Sequence, residues 1–176
     1  ENFVSGYTKS LGENCSGTIA LGESKTCTIT NDDQPGTLIV TKVMDKKYGS
    51  TLTCADFSFT YNGGTSIPFE TDCSNSIVVP AGTYSVLENS KDGFTPTYST
   101  SCTNSVIPNG GSATCTITNS DQPATLIVKK VVVNDNGGSK VASDFTMNVT
   151  GTNVSTPSFA GSETGTTVTL NAGSYS

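Results

Sequence analysis

Apolar residues in this chain recur at every second position, and no long segment carries them at helical spacing. Alternating runs appear as TLIVTKV (37–43), DFSFTYN (56–62), SIVVP (76–80), TYSVLE (83–88), ATCTITN (113–119), TLIVKKV (125–131), DFTMNVT (144–150) and TTVTL (166–170). Alternation of this kind sends successive side chains to opposite faces of a strand. Clusters of Gly, Asn, Asp and Pro (NGG, PAG, PNGG, NDNGG) separate the runs. Strand runs punctuated by such turns every 8–12 residues or so signal an all-β sandwich. Thr, Ser, Gly, Asn and Val dominate while Leu, Glu and Lys are scarce, the reverse of a helical composition.

One segment occurs twice. Thr26–Val43 reads TCTITNDDQPGTLIVTKV and Thr114–Val131 reads TCTITNSDQPATLIVKKV, with fifteen of eighteen positions identical at an offset of 88. The match extends outward on both sides. ADF at Ala55 returns as SDF at Ser143, PAGTYS at Pro80 as NAGSYS at Asn171, and ENFVSGYT at Glu1 as ENSKDGFT at Glu88. Internal repetition of this kind sets domain boundaries. It predicts a complete β-sandwich repeat over 36–123, the C-terminal half of a preceding repeat over 1–35, and the N-terminal half of a following one over 124–176. Glu1 and Ser176 fall at nearly adjacent positions of the repeat. The expectation is a stretch of a longer tandem array or filament, whose partners are neighbouring copies of itself.

Composition narrows the function. Fifteen acidic residues against nine basic ones leave a net charge of −6, with no basic footprint for nucleic acid or an anionic membrane. No run of eighteen apolar residues is present, so no membrane insertion is expected. Histidine is absent, and with it the commonest general base and metal ligand. No Gly-rich phosphate loop opens a helix, and no carboxylate pair suited to glycosidase work stands out. Neither catalytic residues, a cofactor nor a metal is expected, and the chain is not read as an enzyme. Asp32, Asp33 and Asp121 in NDDQPG and NSDQPA could ligate Ca²⁺ at a junction, but plain turn chemistry is the simpler account.

The order GTLIVTKV, AGTYSVLE, GFT and TCTITN resembles the Cna B-type or SpaA-type repeat domains of bacterial surface adhesins and pilins. That resemblance implies tandem Ig-like, prealbumin-like β-sandwiches of Greek-key type, an extracellular cell-surface location and a stalk-building role without substrate turnover. Some members of that family lock themselves with a Lys–Asn isopeptide bond promoted by a buried Glu or Asp.

Period two tests whether the parts exist here. Lys42 shares a face with Leu38 and Val40, Glu88 with Tyr84 and Val86, and Asn119 with Cys115 and Ile117. Each would then point into the core. There, desolvation turns a lysine toward the neutral amine and a carboxyl toward its protonated form. Lys42, Glu88 and Asn119 are therefore the candidate cross-linking set. The alternative is an ion-paired or hydrogen-bonded cluster with no bond, or a lysine whose head reaches water. Lys130, Glu1 and Asn31 occupy the corresponding positions in the flanking half repeats. They form a candidate set completed across a junction, by chain continuation or by strand exchange.

Six cysteines allow fifteen pairings. Cys15 and Cys27 recur as Cys102 and Cys115, whereas Cys54 and Cys73 both disappear from the following copy. The pattern predicts Cys15–Cys27, Cys54–Cys73 and Cys102–Cys115, and with them an oxidising compartment. The function expected is a structural module of a surface filament, pilus or stalk. The alternative is an adhesin that binds a surface ligand through exposed loops.

Overall fold

A computed structural model describes all residues from Glu1 to Ser176. Its strands are β1 (Tyr7–Leu11), β2 (Ile29–Asp33), β3 (Gly36–Asp45), β4 (Ser58–Tyr61), β5 (Ser66–Pro68), β6 (Ser74–Val79), β7 (Gly82–Tyr84) and β8 (Val86–Glu88). There follow β9 (Phe94–Tyr98), β10 (Ser105–Ile107), β11 (Ser112–Asp121), β12 (Ala124–Val128), β13 (Thr146–Asn148), β14 (Ser158–Ala160) and β15 (Thr166–Leu170). The only helical pieces are three single 3₁₀ turns, at Cys54–Asp56, Thr100–Cys102 and Ala142–Asp144. Two compact units result. The first holds Glu1–Val43, Cys54–Asn89 and Thr97–Thr118, and the second holds Met44–Thr53, Ser90–Pro96 and Asn119–Ser176.

β3 lies inside a four-stranded sheet of order β6-β3-β11-β9, and a three-stranded sheet has the order β5-β4-β8. β3 is antiparallel to β6, with Gly36 opposite Val79. Against β11 it runs parallel, because the Thr37 N–H donates to the Gly111 carbonyl at 2.9 Å and so brings the two strand starts together. Leu38, Val40 and Ile117 from one sheet and Phe59 and Val86 from the other are all within 3 % of complete burial. The apolar core lies between these sheets, and each such side chain contributes about 1.5–3 kcal/mol of burial energy. Gly36 is demanded by packing, since a Cβ there would lie 2.1 Å from the Ile107 side chain.

The run TYSVLE does not form one strand. It breaks at Ser85 into β7, which pairs with β10, and β8, which pairs with β4. Asn62 holds the break: its side chain accepts the Ser85 N–H at 2.8 Å, and its own N–H donates to the Ser85 carbonyl at 2.9 Å. Asn62 and Gly63 both have positive φ (48° and 68°), which the NGG turn can adopt and most residues resist. Tyr84, Val86 and Glu88 nevertheless all stay buried, because a switch between sheets preserves the inward phase.

The first unit also carries the hairpin β1–β2, antiparallel with Tyr7 opposite Asp33 and exposed at every position. In the second unit β12 pairs with β15 and β13 with β14, and Val149, Val168 and Leu170 provide its buried apolar centre. At Ala142 and Gly161, 88 residues on from Cys54 and Cys73, this unit brings backbone close instead. A Cβ on Gly161 would lie 2.5 Å from the Ala142 carbonyl oxygen.

Candidate cross-linking site

β3 delivers Lys42 at the inner end of its buried stripe, two residues past Val40. The strand conformation there is fixed by the Lys42 N–H, which donates to the Cys73 carbonyl at 2.8 Å. The Lys42 ammonium donates to a Glu88 carboxylate oxygen in a short ion pair, with both side chains almost wholly excluded from solvent. Glu88 is set by β8, where it stands opposite Phe59, and its own N–H donates to the Tyr98 hydroxyl at 3.2 Å. Two aromatic rings close over the lysine head, Phe57 with its centroid 4.5 Å away and Phe69 at 5.5 Å.

This enclosure sets the electrostatics. Burial is the dominant influence on Lys42 and lowers its pKa from the ordinary lysine value, against the opposing hydrogen bond and charge of Glu88. A buried lysine with one carboxylate partner and a wall of phenyl rings therefore lies closer to the neutral amine than a surface lysine does. Asn119 is wholly buried on the same face of β11 as Cys115 and Ile117, and β11 is the strand beside β3 in the sheet.

Of the flanking set, Glu1 and Asn31 come together. The Asn31 side-chain amide donates to the Glu1 carboxylate at 2.7 Å, and both line a cavity of about 350 Å³ with Phe3, Tyr7 and Lys9. Lys130, partly buried, repeats the setting of Lys42. Its N–H donates to the Ser162 carbonyl at 2.9 Å, and its ammonium lies 4.4 Å from the centroid of Phe145. Phe145 is the counterpart of Phe57 one repeat on.

Disulfides join Cys15 to Cys27, Cys54 to Cys73 and Cys102 to Cys115, with Cα separations of 4.6, 5.3 and 4.7 Å. Two of them start from one-turn 3₁₀ segments of the first unit. Loops of this size stabilise by about 3 kcal/mol each in the chain-entropy model.

Asp121 emerges as a structural anchor rather than a turn residue. Its buried carboxylate accepts N–H groups from Lys47 (2.7 Å), Tyr48 (2.9 Å) and Ser50 (3.1 Å), fixing the loop after β3 within the second unit. Burial pushes its pKa up, but the backbone hydrogen bonds it accepts, from Ser50, Tyr48, Lys47 and its own N–H, together outweigh this and hold it below the ordinary aspartate value. The sequence signal was available in its phase, two residues beyond Asn119 on the buried face of β11. No group of three or more acidic or cysteine side chains is placed to hold a metal ion.

The chain is thus a tandem all-β sandwich that carries three disulfides and buries a Lys–Glu pair between its sheets. The SpaA_2 family, described as a prealbumin-like fold domain, matches residues 33–117 and 121–176, and the chain belongs to it. The two matched segments make the tandem arrangement explicit. Among solved structures, the chain is similar to the Bacillus anthracis TIE protein at 19% sequence identity and a TM-score of 0.54. The similarity covers 86% of this chain and 29% of that one, and it extends to the fold alone. No curated protein matches the chain.

Proposed function

We propose that this chain is a structural repeat module of an extracellular filament, pilus or surface stalk. In this reading residues 36–123 are one complete sandwich repeat, 1–35 belong to the repeat before it and 124–176 to the repeat after it. Each complete repeat is locked internally by an isopeptide bond between Lys42 and Asn119. Its role is length and stiffness at a cell surface, without substrate turnover. The observation that carries the reading is the enclosed Lys42–Glu88 pair beneath Phe57 and Phe69, on the strand next to the one that buries Asn119.

The chemistry follows from that burial. Lys42 passes a proton to Glu88, and the neutral Nζ attacks Cγ of Asn119 while the Glu88 carboxyl polarises the carboxamide. The new Nζ–Cγ bond forms, the Cγ–Nδ2 bond breaks, and Glu88 returns the proton so that ammonia leaves. One such event per repeat ties a first strand to a last strand, so tension passes through a covalent bond rather than through hydrogen bonds. Three disulfides add further covalent closure and support an oxidising compartment.

Intact mass tests the bond. The wild-type chain should weigh one ammonia less than its sequence requires, and Glu88→Gln and Asn119→Ala should each restore the full mass. A wild-type chain at full mass, with its disulfides formed, would sink the isopeptide reading.

A further inference from the structure

Lys42 lies beneath a cover made by one closed loop. The Cys54–Cys73 disulfide, with a sequence separation of 19, encloses both covering rings, Phe57 and Phe69. The Phe57 N–H donates to the Cys54 carbonyl and the Phe69 N–H to the Phe57 carbonyl, each at 3.0 Å. Buried Asn75 grips Phe69 from both sides: its side-chain amide donates to the Pro68 carbonyl at 3.1 Å, and its oxygen accepts the Glu70 N–H at 3.3 Å. At the other end the Cys73 carbonyl accepts the Lys42 N–H at 2.8 Å. The disulfide therefore ties the turn that sets Phe57 to the residue bonded to the lysine's own backbone. Lys42, Cys54, Phe57 and Phe69 are each 3% exposed, whereas Cys73 is half-buried beside the exposed Thr71 and Asp72.

The following copy covers its lysine differently. Ala142 stands 88 residues on from Cys54, and the Phe145 carbonyl accepts the N–H of Gly161 at 2.8 Å where that of Phe57 accepts the N–H of Phe69. A Cβ on Gly161 would lie 2.9 Å from the Lys130 stem, so backbone itself rests on that lysine. The complete repeat instead uses rings held by a disulfide. We propose that Cys54–Cys73 is a redox-sensitive latch on Lys42. Oxidised, it holds Phe57 and Phe69 shut over the ammonium; reduced, it lets the 54–73 loop lift and admits water and amine-reactive solutes. Burying an ion pair beneath aromatic rings is costly, so the closed state leans on the covalent constraint.

Cys73 is the accessible end of the bond. A thiolate of a solvent dithiol attacks the Cys73 Sγ, the Sγ–Sγ bond breaks, and Cys54 leaves as a thiolate that takes up a proton. The dithiol's second thiol then displaces Cys73. Two electrons and two protons thus pass to the cysteine pair, and the reductant leaves as a cyclic disulfide. A small-molecule disulfide runs the exchange backwards and closes the latch. Freed of its constraint, the 54–73 loop opens locally while the sheet of β3 and β11 stays folded. The latch acts with or without a bond at Asn119, and so goes beyond the cross-link reading.

The test uses the 176-residue chain with Asn119→Ala, in which Lys42 stays an amine however the cross-link reading turns out. Labelling by a water-soluble N-hydroxysuccinimide ester, mapped by mass at Lys42, reads access, and amide exchange along β11 reads the global fold. With all disulfides formed, Lys42 should label slowly. Cys54→Ala together with Cys73→Ala should speed its labelling by at least about tenfold, with β11 protection unchanged. Cys15→Ala together with Cys27→Ala, a link that encloses neither ring, should leave it slow. Equal labelling with and without Cys54–Cys73 would overturn the latch, as would a rise matched by an equal loss of β11 protection. Should the double variant fail to fold, the oxidised chain under a dithiol decides. Labelling of Lys42 that appears with the Cys54 and Cys73 thiols, before β11 protection falls, supports the latch. Thiols that appear only as β11 exchanges, or a Lys42 that stays slow after they form, would overturn it.

Discussion

β2 reads ITNDD and β11 ends in ITNSD, and almost nothing in these five residues distinguishes them. Yet β2 is exposed at all five positions, whereas β11 buries Ile117, Asn119 and Asp121 in strict alternation. The difference is the strand alongside. β11 has β3 on one edge and β9 on the other, while β2 has β1 alone. Period two fixes which side chains share a face, but a face becomes a core only when a second sheet and a neighbouring strand exclude water from it. The twin segments therefore form an internal control. Any substitution can be made at both positions, and only the partnering differs.

The largest contrast concerns the asparagines. Asn119→Ala should lose the proposed bond from Lys42, and a link closing a loop of that length is worth about 4–5 kcal/mol in the chain-entropy model. Asn31→Ala in the isolated chain should change stability by less than about 0.5 kcal/mol. Denaturant unfolding of the two variants beside wild type reads the difference, and equal effects would break the comparison. The isoleucines come next. Ile117→Ala should cost about 2–5 kcal/mol, and Ile29→Ala, at a position already 42% exposed, within about 0.5 kcal/mol.

The disulfides divide in the same way. Replacing Cys102 and Cys115 together by alanine should lower global stability by about 3 kcal/mol. Replacing Cys15 and Cys27 should loosen the β1–β2 hairpin, seen as faster amide exchange there, and leave the sandwich midpoint nearly unchanged. The smallest contrast is between the aspartates. Asp121→Asn removes charge-assisted bonds to three backbone N–H groups, for a loss of about 1.5–3 kcal/mol, while Asp33→Asn should be close to neutral.

Asp121 also gives a pH signature. Its folded-state pKa is depressed, so its stabilisation is complete above the ordinary aspartate value and is lost as pH falls through the lower folded-state value. Asp121→Asn should flatten the acid limb of the stability curve over that window, and an unchanged limb would show that the carboxylate is not the anchor.

Much of this was legible in the residues because β structure writes its facing pattern with period two. The alternation of Leu38, Val40 and Lys42, and of Cys115, Ile117 and Asn119, placed the candidate lysine and asparagine on buried faces. The break of TYSVLE at Ser85 was not legible, since a strand that changes sheets keeps the same alternation and only Asn62, 23 residues away, marks the switch. Nor was the role of Asp121. NSDQPA looks like turn chemistry, and the donors from Lys47, Tyr48 and Ser50 lie more than 70 residues distant. The role of Phe57 and Phe69 as the roof over Lys42 needed the fold.

By itself the sequence determined an all-β tandem chain, its repeat length and the inward phase of Lys42, Glu88 and Asn119. These depend on local geometry that each strand carries with it. Tertiary structure decided which inward faces are dry, which edges are paired and which charges meet. Those outcomes depend on strands far apart in the chain, as the N–H groups of Lys47, Tyr48 and Ser50 that meet the Asp121 carboxylate show.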